Sequence, residues 1–141
     1  MMETMESVLA DTYVLYLKTQ NYHWNIISPN FRDYHLLLQD MYEALAVAAD
    51  DLAEQIRIIG RNVPATFDFF RTKTCLKDGD CTLPAKQMLM DLLGDHQKIL
   101  ETITKAIAET RDAQDVGTED LLIERVRYHS KMVWFLKSIT A

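Results

Sequence analysis

Two imidazoles, His23 and His35, and two carboxylates, Asp50 and Glu54, are the side chains in this chain best suited to chemistry. Nitrogen and oxygen donors in that mixture suit a transition metal such as iron. Their spacing raises a geometric problem. His35 and Asp50 fall on what reads as one unbroken helix, fifteen residues apart, or ~22 Å along its axis. One ion inside one chain cannot touch both. Yet fifteen steps of ~100° leave the two only ~60° apart around the helix, so they share a face. Packed antiparallel on its own copy across a two-fold axis, that face would set His35 of one chain against Asp50 and Glu54 of the other. The i, i+4 step lets both carboxylates point at one ion, and His23 on the adjoining helix can supply the second imidazole. Each feature also has a plainer use. An acid pair at i, i+4 commonly lies on a solvated face, and a histidine beside a tryptophan commonly packs or caps.

The elements that must position these groups are all helical. Val8, Leu9, Tyr13, Leu15, Tyr16 and Leu17 recur at helical spacing and predict a first helix from about Glu3 to Trp24. Ser28-Pro29-Asn30 breaks it, with Pro29 near the first position of a second helix running from about Asn30 to Ile59 and stopped by Gly60. Ala65 to Arg71 can form a brief helix. A third long helix starts near Pro84 and runs to about Thr110, burying Met88, Leu89, Leu92, Leu93, Ile99, Leu100 and Ile103. Thr118 is the expected cap of a fourth, with Glu119 and Asp120 against the positive end of its dipole. Its core face is Leu121, Leu122, Val126, Val133, Trp134 and Leu136. Four long helices with one long connection predict an all-α, ferritin-like four-helix bundle, with a short extra helix between helices two and three. Residues 1–141 read as a single domain. A bundle holding two irons in its own core needs Glu-x-x-His pairs. Gln20, Arg32, Leu93 and Val126 stand three residues before the four histidines, so that intrachain site is absent.

Composition narrows the classes further. The 141 residues are enough for a core without disulfide staples. A net charge of −6 disfavours nonspecific grip on nucleic acid and is compatible with attracting cations. Met1-Met2-Glu3-Thr4-Met5-Glu6 lacks the basic start and apolar run of a secretory leader, and no apolar run reaches the ~20 residues of a membrane span. A soluble cytoplasmic protein is expected. Cys75 and Cys81 match neither a zinc spacing nor a disulfide framework. Free thiols are the expectation in a reducing compartment, with a loop bridge across Lys77-Asp78-Gly79-Asp80 as the alternative.

The stretch Asn21-Tyr22-His23-Trp24-Asn25-Ile26, then Phe31, His35, Tyr42, Asp50-Asp51-Leu52-Ala53-Glu54-Gln55-Ile56 and Gly60, resembles the signature of Dps proteins, the dodecameric mini-ferritins. The likeness runs more loosely through Asp95-His96 to Lys131-Met132-Val133-Trp134-Phe135-Leu136. The resemblance implies a homododecameric shell with ferroxidase sites at two-fold interfaces. His23 and His35 would come from one chain, and Asp50 and Glu54 from its partner. It further implies oxidation of Fe(II) to Fe(III) by hydrogen peroxide, two irons per peroxide, with ferric mineral kept inside and protection against oxidative stress. One position departs from the family. An acid commonly stands one turn after the second histidine, where this chain has Gln39, with Asp40 pointing ~100° away. That weakens a second iron position.

The acids around the start of the last helix, Asp112, Asp115, Glu119 and Asp120, correspond by resemblance to iron-entry pores, Asp120 foremost. Asp40 and Glu43 are candidates for mineral nucleation, and Tyr22 and Trp24 for quenching stray one-electron oxidation; packing at the dimer contact explains the aromatic pair equally well. DNA binding through tails is not expected, since the first basic residue is Lys18, inside helix one, and only Lys137 lies near the end. Two other readings stay open: a DNA-binding structural protein with weak metal chemistry, and a cage for zinc or another divalent ion, because these ligands do not select iron alone.

Overall fold

The computed structural model describes residues 1–141. They form five helices and no strand: α1 (Met2–Asn25), α2 (Phe31–Ile58), the short α3 (Phe67–Lys73), α4 (Ala85–Asp112) and α5 (Val116–Thr140). α1 packs on α2 and α4, α4 packs on α5, and α3 lies against α1. Short turns make α1–α2 and α4–α5 antiparallel hairpins, and the long connection between the hairpins carries α3. This is the expected ferritin-like four-helix bundle with an extra helix in the connection. No helix is long and apolar enough to cross a membrane.

Apolar residues at helical spacing fill the bundle in two clusters. One joins Leu15 and Tyr22 of α1 to Leu38, Met41 and Leu45 of α2, Leu89 and Leu92 of α4, and Leu136 of α5. The other joins Met5 and Leu9 to Leu52 and Ile56, Ile99 and Ile103, and Leu122. Between them lies a polar layer: Asp11 and Thr12 of α1, Asp95 and His96 of α4, and Arg125 and His129 of α5, all buried. Not every residue expected on a buried face stays inside: Trp134 is 64% exposed, and Leu100, Leu121, Val126 and Val133 are half-buried. Helical period alone places Trp134 next to a buried stripe that Met132 and Leu136 in fact occupy.

The helix ends show why the elements stop where they do. α2 ends in a Schellman motif: Gly60 takes φ 101°, its N–H reaches the Arg57 carbonyl, and the Arg61 N–H reaches that of Ile56. α4 ends the same way, with Gln114 forced to φ 56°, its N–H on Arg111 and the Asp115 N–H on Thr110. The start of α5 corrects the expected cap. Asp115 is the N-cap; its carboxylate accepts the Thr118 backbone N–H at 3.0 Å and the Thr118 hydroxyl at 2.6 Å. The backbone turns helical at Val116, so Asp115 holds the N-cap position, where its charge also interacts favourably with the positive end of the helix dipole. Pro29 and Asn30 form the turn before α2, so Pro29 lies outside the helix it was expected to start.

Candidate metal centre

The last turn of α1 and the start of α2 meet across a five-residue turn, and there His23 and His35 stack, ring centroids 3.7 Å apart and 11° from parallel. Each imidazole is tied to the other's backbone. His23 Nδ1 lies 2.7 Å from the His35 carbonyl, and His35 Nδ1 lies 2.8 Å from the His23 carbonyl. A carbonyl can only accept, so both Nδ1 atoms carry the hydrogen and, in the neutral rings, both Nε2 atoms keep a free lone pair. Pinning a ring through Nδ1–H to a carbonyl is the usual support of a metal-ligating histidine, because it fixes both tautomer and orientation. The His23 carbonyl belongs to the last turn of α1, where carbonyls lack helical partners and the dipole favours a positive charge. Phe31 stacks on His35 at 4.9 Å, and Tyr42 meets the His23 ring edge-on at 5.1 Å.

Asp50 and Glu54 stand exposed one turn apart near the other end of α2. The structure therefore brings together the two histidines and does not bring the carboxylates to them. Within one chain no three His, Cys, Asp or Glu side chains converge as a metal cage. Gln39, one turn after His35, donates its amide N–H to Glu43 Oε1 at 2.9 Å, which leaves the amide oxygen as its only available donor atom for a metal.

Along α1, α2 and α3 the chain shows large apolar side chains to solvent. Leu17 and Trp24 of α1, Phe31, Leu36 and Val47 of α2, and Phe67 of α3 are all exposed, Trp24 at 63% and Phe67 at 73%. Tyr22 is different. It is fully buried, so it cannot pack at a contact between chains, and its hydroxyl donates to Asp91 while accepting the Asp80 N–H. Burial, then the Asp91 hydrogen bond, holds its hydroxyl well above the ordinary tyrosine value.

Two polar arrangements escaped the sequence reading. Lys18, buried in α1, bridges Asp91 and Asp95 of α4 at 3.0 and 2.7 Å. His96 of α4 and His129 of α5 face each other with their Nδ1 atoms 2.8 Å apart. Their signal was positional: His96 follows Leu92 by four residues and precedes Ile99 by three, and His129 precedes Met132 by three. Both thus lie on buried stripes. The cysteines are free and exposed, with no bridge across the loop. Cys75 Sγ sits 3.5 Å from Asp11 Oδ2; partial burial, then the Asp11 charge and hydrogen bond, pushes its thiol up, away from reactivity. Of the acids near α5, Asp115 is used as a cap and Glu119 pairs with Arg111 Nε at 2.6 Å, leaving Asp112 and Asp120 exposed.

Residues 2–141 match the family model described as Ferritin, a ferritin-like domain. A low temperature-induced protein of Nostoc sp. is 33% identical over 132 residues, which cover 92% of this chain and 74% of that relative. The DNA protection during starvation protein 2 of Bacillus anthracis is 26% identical, over 96% of this chain and 93% of its own length. Among solved structures, Dps from Staphylococcus aureus superposes with a TM-score of 0.96 at 27% identity, over 99% of this chain and 94% of that one.

Proposed function

This chain is a ferritin-like protein of the Dps family, and from that premise we propose that it stores iron and protects against oxidative stress as a ferroxidase. Fe(II) is the substrate. His23 and His35 hold it through their Nε2 atoms, and Asp50 and Glu54 of the partner subunit complete the site across a two-fold axis. The observation that carries this reading is the reciprocal bonding of each Nδ1 to the other histidine's carbonyl, which leaves the Nε2 atoms of two stacked rings free to ligate.

Anionic oxygen donors stabilise Fe(III) more than Fe(II), so the two carboxylates favour the oxidised product. With hydrogen peroxide as oxidant, two Fe(II) each give one electron, the O–O bond breaks, and both oxygens leave as water after taking two protons. Pairwise delivery avoids hydroxyl radical. Gln39 offers a neutral oxygen where a carboxylate would hold a second iron, so that position is the weaker of the two. The exposed apolar residues of α1, α2 and α3, Trp24 and Phe67 among them, supply the contact surface of a homododecamer. Its ferric product collects inside the shell, and Asp120, left exposed by the helix cap, is the pore carboxylate. The same ligands accept zinc, which would act as a competitor.

The test is peroxide-driven Fe(III) formation after anaerobic loading with Fe(II). Asp50→Ala with Glu54→Ala should lower the initial rate by at least about tenfold, the loss of an outer-sphere partner alone being worth that much. Rates equal to wild type would overturn the assignment, and elution at monomer or dimer mass would overturn the shell.

A further inference from the structure

The centre of the bundle holds a second pair of imidazoles that iron oxidation does not use. His96 of α4 and His129 of α5 have no exposed surface, and 2.8 Å separates their Nδ1 atoms. A contact that short between nitrogens requires one hydrogen between them, so one neutral ring donates and the other accepts. Neither Nε2 has a protein partner. The pair lies in the polar layer between the two apolar clusters and ties α4 to α5 at mid-height.

Every packed element presents charge or titratable groups nearby, and none neutralises a proton on this pair. From α5 come Arg125, a buried cation whose Nε and Nη2 also lack protein acceptors, the exposed Glu124, whose charge acts on Arg125, and Tyr128, whose ring lies 6.3 Å from His96 and 5.2 Å from His129. α4 contributes Asp95, which is held by Lys18 of α1. Asp11 of α1 is occupied by Thr74, Cys75 and Thr102. From α2, the exposed carboxylates Asp51 and Asp40 act on Arg125 and Tyr128 respectively.

We propose that the His96–His129 pair is an acid-sensitive latch between α4 and α5, closed while both imidazoles are neutral and opened by protonation. The first proton must enter on a buried Nε2, placing a charge near Arg125 with no counter-charge. The second leaves two N–H groups head to head across 2.8 Å, so the hydrogen bond is lost and the rings must part. Burial, then the Arg125 charge, holds His96 down to about 3. Burial, then the His96 and Arg125 charges, holds His129 well below the ordinary histidine value. The unfolded chain takes up both protons near pH ~6.5 and the folded chain only far below it. Stability from the pair is therefore complete above that value and falls as the pH drops through the window beneath. Each imidazole costs up to about tenfold in the folded-to-unfolded ratio per pH unit there.

Hydrogen exchange of the assembled wild-type protein tests this, corrected for intrinsic rates, on going from about pH 7 to about pH 4. Amides of α4 and α5 around His96 and His129 should lose protection first, while those of α2 around Leu45 and Leu52 keep theirs. Uniform loss, or first loss at the α1–α2 turn where His23 and His35 sit, would overturn the latch. His129→Asn and His96→Asn place an amide near the Nδ1 position with no proton to bind. Each should flatten the acid slope of chemical denaturation by up to about tenfold per pH unit. An unchanged slope in a folded variant would equally overturn it.

Discussion

Mixing two crippled chains asks directly whether the proposed iron site is shared. One chain carries His23→Ala and His35→Ala, the other Asp50→Ala and Glu54→Ala, and each alone should form inactive shells. On α2 the histidine and carboxylate ends are ~22 Å apart, at ~1.5 Å for each of fifteen residues, so no in-chain rearrangement short of unfolding can join them. A two-fold pair has two sites, each using the histidines of one chain and the carboxylates of the other. In a mixed pair one site inherits both defects and the other inherits neither. Random co-assembly at equal amounts makes about half of the pairs mixed, so about a quarter of all sites are intact. Co-expressed shells should therefore recover about a quarter of the wild-type rate of peroxide-driven Fe(III) formation. Complete inactivity of properly assembled mixed shells would refute the shared site, because only an in-chain site or four ligands that never meet gives that result. Activity in either parent alone would refute the ligand set.

Three further perturbations test the local physics. Gln39→Glu should raise the Fe(II) bound per site, read by anaerobic calorimetric titration. It should also cost a few tenths of a kcal/mol (about 0.2–0.5) through like charges at i, i+4 with Glu43, which the Gln39 amide now binds. Gln114→Gly should stabilise the chain by roughly 1 kcal/mol in chemical denaturation, since only glycine takes φ 56° without a Cβ penalty; no gain would mean the α4 end relaxes some other way. Gly79→Ala should destabilise by about 1–3 kcal/mol. A Cβ there would meet Lys18 Cγ at 3.1 Å, Tyr22 Cε1 at 3.2 Å and Asn21 Nδ2 at 3.3 Å, against side chains locked by the Asp91–Lys18–Asp95 network. Wild-type stability would show that the loop lifts off α1 freely.

Helix number, order and approximate bounds were legible because each long helix carries its own apolar period and its own stop. Gly60 is an example, read as a terminator and found at φ 101° in a Schellman turn. Helix starts were less legible. Asp115 and Thr118 are both good caps by type, and only the backbone geometry decides that the carboxylate takes the role while Thr118 becomes its donor. Trp134 was misplaced for a related reason, since a one-residue rotation on a helix is ~100° and turns a core position into a surface one.

By itself the sequence determined the all-helical bundle and the fact that His35 and Asp50 cannot share an ion within one chain, and it singled out His23, His35, Asp50 and Glu54 as candidates. Those follow from local periodicity and from rise per residue, which need no knowledge of neighbours. Only the tertiary structure decided that His23 and His35 stack and trade their Nδ1 hydrogens to each other's carbonyls. It alone revealed that His96 meets His129, and that Lys18 is buried between two aspartates. These pairings join residues far apart in the chain, and packing of whole helices sets them, at distances where a shift of an ångström makes or breaks a hydrogen bond.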